Sequence, residues 1–271
     1  MNADRWSVWA WRLGLLVIFL GAWEYLTGIK ALSRTPGLYW IDPFFISRPS
    51  VIAQRFLYLA SDKVRLTIWQ MALSTIQSTL WGFVVGISTG FLAGLLLGRG
   101  DRIARIFDPF IVGFNSLPRI ALVPLITMIF GFGLLAKIVL AWSIVFFIVF
   151  FNTFQGARSV DADLIHSARF LGASQRQVMR TVVVPSTLAW TFASLTPSIS
   201  FALIGVVVGE FIGGESGGGL GYLIIQSLGT LNAADMMVAL VVLGAIGIVM
   251  ALGIRQIETR LLRWRPEYQK R

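Results

Sequence analysis

The side chains that could do chemistry are few and scattered. There is one histidine, His166, and no cysteine, which excludes disulfides, thiolate chemistry and cysteine metal sites. A lone histidine, with no close carboxylate pair inside an apolar run, leaves nothing for a metal site or an acid–base couple. His166 reads instead as a helix-surface or interface side chain, and the chain as a non-enzyme. Arg119 lies within "NSLPRIALVP" (115–124), between Pro118 and Pro124 and well inside an apolar run. An intramembrane arginine is costly and usually faces a cavity, a partner or a pathway. The structural alternative is that it snorkels, or pairs with Glu24 or Asn152. Ser194, Thr196, Ser198 and Ser200 surround Pro197; hydroxyls there can satisfy carbonyls freed by the proline or line a translocation route. The candidate pathway residues are therefore Asn115, Arg119, Asn152, Thr196 and Ser200. Glu210, at the outer end of the same run, reads as an interface residue rather than a buried acid. The glycine-rich "GGESGGGLG" (213–221) lacks the Gly-Lys-Ser/Thr of a phosphate loop and follows no strand. It reads as a flexible external loop.

The elements that must position these residues are membrane helices. Of 271 residues, 56% are hydrophobic and 13% charged, with a mean hydropathy of +0.76, too apolar for a soluble domain. A spanning helix needs about 20 mostly apolar residues. Six segments qualify, at roughly 13–29, 71–98, 106–130, 134–154, 186–211 and 236–254. The long Leu/Ile/Val/Phe/Gly runs argue for helices rather than a barrel, so the expected class is an all-α integral membrane protein. The first run has a basic flank but no clear small-residue cleavage site, and reads as a retained span. Pro118 and Pro124 should kink or break the third. The second carries Gly82, Gly86, Gly90, Gly94 and Gly98, continuing Ser74 and Ser78 at the same spacing. Such a ribbon lets another helix approach closely, either within the chain or as a subunit interface or pore wall.

A net charge of +10 would suggest nucleic acid in a soluble protein, but here what matters is where the charges fall relative to the spans. With the N-terminus inside, the cytoplasmic segments hold Arg5 and Arg12; Arg99, Arg102 and Arg105; Arg158, Arg169, Arg176 and Arg180; and six basic residues from Arg255 onward. The loop between spans five and six has none. The long 30–70 segment, with Lys30, Arg34, Arg48, Arg55, Lys63 and Arg65, breaks the pattern but weighs less because of its length. Both termini are expected to be cytoplasmic. The organisation is then an N-terminal span and external segment (1–70), a membrane core (71–254) and a basic tail (255–271).

Between spans four and five lies a short basic stretch, "LIHSARFLGASQRQVMRTVVVP" (164–185). Ser159, Asp161 and Asp163 supply capping groups and negative charge at a helix start. Leu164, Ile165, Ala168, Leu171 and Val178 recur at three- and four-residue spacing as an apolar stripe, with His166, Arg169 and Arg176 largely off it. Gly172 would allow a bend or a close backbone approach. A basic amphipathic helix can rest on headgroups, but a short stripe with small residues at its middle suits a protein groove better.

These residues resemble the cytoplasmic "EAA" loop of ABC-importer permeases: Ala168, Gly172, Val182 and Pro185 fall on its spacing. "SRPSVIAQRF", "LPRIALVPL" with "FGFG", "NTFQGARSVDADLI" and "GVVVGEFIGG…GLGYLI" are similar to the nitrate/sulfonate/taurine branch. The resemblance covers about 47–265. It implies a type I ABC-importer permease fold in a bacterial inner membrane and a homodimer within the lipid bilayer. The partners are two ABC ATPase subunits and an external solute-binding protein, with no nucleic acid. This chain itself would bind no cofactor, because ATP and Mg belong to the ATPase. The coupling helix would lie at about 161–178, with Leu164, Ile165, His166, Ala168, Arg169, Leu171, Gly172 and Ala173 entering an ATPase groove. Two positions depart from the pattern. "HSA" stands for Glu-Ala-Ala, placing His166 where the acid would be, and Thr196 stands where many relatives have arginine. The implied solute is a nitrate-, sulfonate- or taurine-like anion, or a small neutral or aromatic molecule. The competing readings are an ATP-independent secondary transporter or channel, which predicts intramembrane acids or an inverted repeat, and a scaffold that only recruits a partner.

Overall fold

A computed structural model describes residues 2–29, 32, 35, 37–38 and 41–263. Lys30 and Arg34 of the external segment, and Arg265, Lys270 and Arg271 of the tail, lie outside the described residues. In chain order the elements are α1 (Asn2–Leu26), α2 (Pro43–Ile46), α3 (Pro49–Ala60), α4 (Ile68–Gly98) and α5 (Asp101–Ser116), then a 3-10 turn (Arg119–Leu122). After these come α6 (Val123–Phe130), α7 (Leu134–Arg158), α8 (Ala162–Phe170), α9 (Gln175–Val178), a π-helical turn (Met179–Val183), α10 (Val184–Ala193), α11 (Leu195–Gly217), α12 (Leu220–Gly229) and α13 (Ala233–Leu261). No strand occurs among the described residues.

Among the described residues, five helices are long and apolar enough to cross a membrane, at Trp6–Leu26, Ile68–Gly98, Leu134–Arg158, Leu195–Gly214 and Ala233–Leu261. The third expected span is a bent pair, Ala104–Phe114 and Arg119–Phe130, which meet at 75° and together are apolar enough to form a sixth, broken span or a re-entrant loop. Leu117 and Pro118 are extended there, as a residue before proline prefers. The fifth span differs from the expected 186–211. Helix α10 stops at Ala193 and α11 begins at Leu195. Pro185 and Pro197 each fall in a first turn, where a missing N–H costs nothing. The hydroxyls near the junction bond their own helices: Thr191 Oγ1 donates to Thr187 O (3.1 Å), Ser194 Oγ to Thr191 O (2.7 Å) and Ser198 Oγ to Ser194 O (2.6 Å).

The chain divides into two compact units. One comprises residues 1–72 and 223–243. Within it the Glu24 carboxylate, near the end of α1, accepts from Ser50 N (3.0 Å) and Ser50 Oγ (2.8 Å) at the start of α3, where the helix dipole favours an anion. Arg55 grips Asp235 through Nε (2.7 Å) and Nη2 (2.6 Å), a bidentate match of guanidinium to carboxylate. The hydrogen bonds that Arg55 donates to Asp235 raise the Arg55 pKa above its usual value.

The other unit comprises 73–222 and 244–271, and α7 is its axis. Ala141, Val145 and Val149 of α7 are buried with Phe83 of α4 and with Leu195, Ile199, Ala202 and Val206 of α11. The serine and glycine ribbon of α4 faces α7. A Cβ added at Gly86, Gly90, Gly94 or Gly98 would fall 2.6–2.8 Å from Val145, Phe146, Phe150 or Ala157, and one at Gly82 would collide with Ala141. The two backbones lie too close for any larger side chain, over four helical turns.

Candidate functional site

Helix α8 is built by its ends. Asp161 caps the start, its Oδ1 accepting from Asp163 N at 2.9 Å. At the other end Ala173 N donates to Ala168 O (3.0 Å) and Gly172 N to Arg169 O (2.9 Å), with Gly172 at φ +83°. That bond pair with a left-handed glycine is a Schellman stop, and it shows why glycine and alanine stand at this spacing. The chain restarts at once. Ser174 caps α9 in a capping box, Ser174 N donating to Gln177 Oε1 at 2.7 Å. The expected single helix over 164–178 is thus two short helices around a rigid turn.

The turn redistributes the apolar stripe. Val178 is buried, Ile165, Ala168 and Ala173 are half-buried, and Leu164, His166, Arg169 and Gly172 are exposed. Phe170 and Leu171 stand 96% and 88% exposed, the most exposed of the large hydrophobic side chains described, and lie side by side on the turn. Phe170 was absent from the sequence-derived set because it lies off the three-and-four spacing. Only the glycine stop turns it outward beside Leu171. Arg169 Nη2 reaches Gln175 Oε1 at 3.2 Å, bridging the two helices.

The candidate pathway residues do not form one cluster through their contacts. The Arg119 guanidinium lies 4.7 Å from the Phe147 ring centroid, a cation–π geometry. Asn152 Nδ2 donates to Ile148 O within α7 (2.8 Å), and Thr196 Oγ1 donates to Glu258 Oε2 of α13 (3.2 Å). Ser200 is exposed. Asn115 sits in the last turn of α5, with its side chain outside the described residues.

The strongest polar constellation is one that the sequence reading overlooked in part and misjudged in part. Glu210 is 1% exposed and Lys137 2%, so the expectation of Glu210 as an interface residue is corrected: it is a buried acid. Lys137 Nζ donates to Glu210 Oε1 (3.2 Å), to Ser74 Oγ (2.8 Å) and to Gly218 O (2.8 Å). Glu210 also accepts from Thr75 Oγ1 (2.9 Å) and from Gly221 N (2.9 Å), while Leu220 N donates to Thr75 Oγ1 (3.1 Å). Gly219, at φ +146°, leaves the space that the carboxylate fills; a Cβ there would overlap it. The residues read as a flexible loop are therefore partly helix (to Gly217, with a kink at Gly214) and partly a turn pinned by four side chains, Ser74, Thr75, Lys137 and Glu210. A lone lysine in "LLAKIVLAW" and a lone acid in "VVGEFIGG", each in an apolar run and opposite in sign, were the available signal.

Compared with known proteins, the chain is 28% identical to the putative aliphatic sulfonates transport permease protein SsuC of Bacillus subtilis, over 96% of this chain and 90% of that protein. It is 26% identical to the taurine transport system permease protein TauC of Escherichia coli, over 96% and 94%. Identity to the riboflavin transport system permease protein RibX of Chloroflexus aurantiacus is 30%, over 93% and 88%. Among solved structures, an inward-facing form of the MetNI methionine ABC transporter superposes with a TM-score of 0.55 at 23% identity, covering 70% of this chain and 92% of that one. An amino acid ABC transporter gives 0.57 at 18% identity, covering 79% and 97%. These two establish the fold, the helical architecture of type I importer permeases. Residues 65–263 match the family described as "Binding-protein-dependent transport system inner membrane component", and that stretch holds the broken third span, the capped α8–α9 turn and the Lys137–Glu210 network alike. The chain belongs to this family and is a multi-pass inner-membrane permease subunit of an ABC importer.

Proposed function

We propose that the chain works as a homodimer bound to two separate ATPase subunits, which hold the ATP and Mg, and takes solute from an external binding protein. In this reading the α8–α9 turn enters a groove on the ATPase and carries its movement into the membrane helices. The observation that supports this most is the near-complete exposure of Phe170 and Leu171 on a turn already closed by its own hydrogen bonds. A rigid apolar knob is what a mechanical contact requires. His166, in place of the acid common at that position, sits exposed one turn away. Both termini would be cytoplasmic, with 213–219 outside.

Native mass spectrometry of the gently purified, tagged chain tests the assembly: two copies with two ATPase chains are expected. A solitary chain or simple oligomer, stable across detergents, overturns the proposed assembly. For orientation, a cysteine at Ser216 should label from outside intact cells and one at Ser174 should not; the reverse pattern inverts the topology.

The solute favoured is a small organic or inorganic anion such as a sulfonate, taurine or nitrate. The relatives named for sulfonates and taurine support this, as does the positive charge of Arg119 at the break in span three. Arg119→Ala should lower sulfonate uptake about tenfold, the loss of one charge-assisted contact, while the complex stays assembled. Unchanged uptake across anions would make Arg119 structural. One observation favours an uncharged aromatic solute instead. Thr196, a neutral residue engaged with Glu258, occupies the arginine position, and a relative is named for riboflavin.

A further inference from the structure

Helix α7 joins the two ends of this unit. Its 25 residues make a rod of about 37 Å at about 1.5 Å per residue, enough to cross the hydrocarbon core. Just past its last residue, Arg158, the chain enters the α8–α9 turn. In its first turn, Lys137 is bonded to Glu210 of α11, to Ser74 of α4 and to the backbone of the 218–221 turn. Between these points the glycine ribbon of α4 leaves no slack: an added Cβ at any of Gly82, Gly86, Gly90, Gly94 and Gly98 meets α7 atoms within 3 Å. Close-packed interiors transmit displacement because they deform little. An intramembrane ion pair is costly to bury even when well bonded, and such residues usually mark a functional site.

The geometry points to Lys137 and Glu210 as a positioning pair for transport: the pair clamps the far end of the α7 rod to α11 and the 218–221 turn, so that a movement received at α8 is delivered to the opposite side of the membrane. This rests on the proposed docking role of α8. Neither residue touches solute. Each holds backbone: Lys137 holds the Gly218 carbonyl and Glu210 the Gly221 amide. With the clamp opened, α7 would still follow the ATPase while the outer turn no longer followed α7.

The test is the ratio of ATP hydrolysed to solute imported by the whole complex in liposomes, with binding protein supplied. Lys137→Met/Glu210→Leu removes both charges together and avoids an orphaned buried ion. Gly219→Ala leaves every charge in place but puts a methyl group where the carboxylate sits. Both should assemble with the ATPase and hydrolyse ATP within about twofold of the parent, while uptake falls about tenfold or more, within the range of measured coupling free energies. Normal uptake by either assembled variant makes the pair a packing device and overturns the inference. Loss of hydrolysis and uptake together overturns it too, as does failure of both variants to assemble, because the pair then serves folding. If the parent chain carries no ATPase subunit, the docking reading falls first, and native mass spectrometry shows that independently.

Discussion

At the first turn of α7 a lysine donates to three oxygens out of reach of water, whereas a short step beyond its last turn Phe170 and Leu171 stand almost wholly uncovered. The inverted placement, charge inside and apolar groups outside, has a different origin at each end. The buried charges are stable only because other helices bring Ser74, Thr75 and the 218–221 backbone to meet them; an unpartnered ion there would have no water to fall back on. The exposed pair is held by local bonds alone, a Schellman stop and a capping box within a dozen residues. One end depends on the tertiary structure and asks nothing of a partner. The other is finished locally, and in the proposed assembly an ATPase subunit would cover it.

Single substitutions should separate the two ends. Lys137→Met on its own leaves Glu210 buried without its cation and should cost about 3–5 kcal/mol. That would read as a large drop in thermal stability or in folded protein recovered from the membrane, and an unchanged melting temperature would mean the network is not closed as described. Leu171→Asp should leave the melting temperature untouched yet weaken ATPase association by more than about 2 kcal/mol, as a buried interface anchor does. Pull-down yield measures this directly, and a parent-like yield would remove Leu171 from the contact. Gly90→Leu forces α4 away from α7 and should cost about 1–3 kcal/mol. Gly113→Leu, where nothing lies within 4 Å, should cost less, so equal shifts at the two sites would contradict the close approach. Smallest of all, Ser174→Ala removes the α9 cap, worth about 1 kcal/mol. Its effect should be faster amide exchange at 175–178 with no change in global melting.

How much of this was legible beforehand follows the same division. The membrane spans were readable because lipid demands long apolar helices, and the break in span three because Pro118 and Pro124 cannot continue a helix. The capped stretch over 161–178 was readable as helical, though not in its shape. Gly172 allowed a bend, but that it ends α8 with φ +83° and throws Phe170 outward depends on bonds between residues 168 and 173. Glu210 was misjudged and Lys137 passed over for one reason. Seventy-odd residues separate them, and neither has a local partner that reveals the other.

The sequence by itself determined what each segment must do alone: which runs lie in lipid, where helices start and stop, and which residues are small enough for another backbone to approach. Those follow from local sterics, capping and the absence of water in the bilayer core. Only the tertiary structure decided which helix the glycine ribbon faces, which acid meets which lysine, and that the 218–221 turn is pinned rather than loose. Such pairings depend on distances between residues far apart in the chain, and those distances exist only once α4, α7 and α11 have packed.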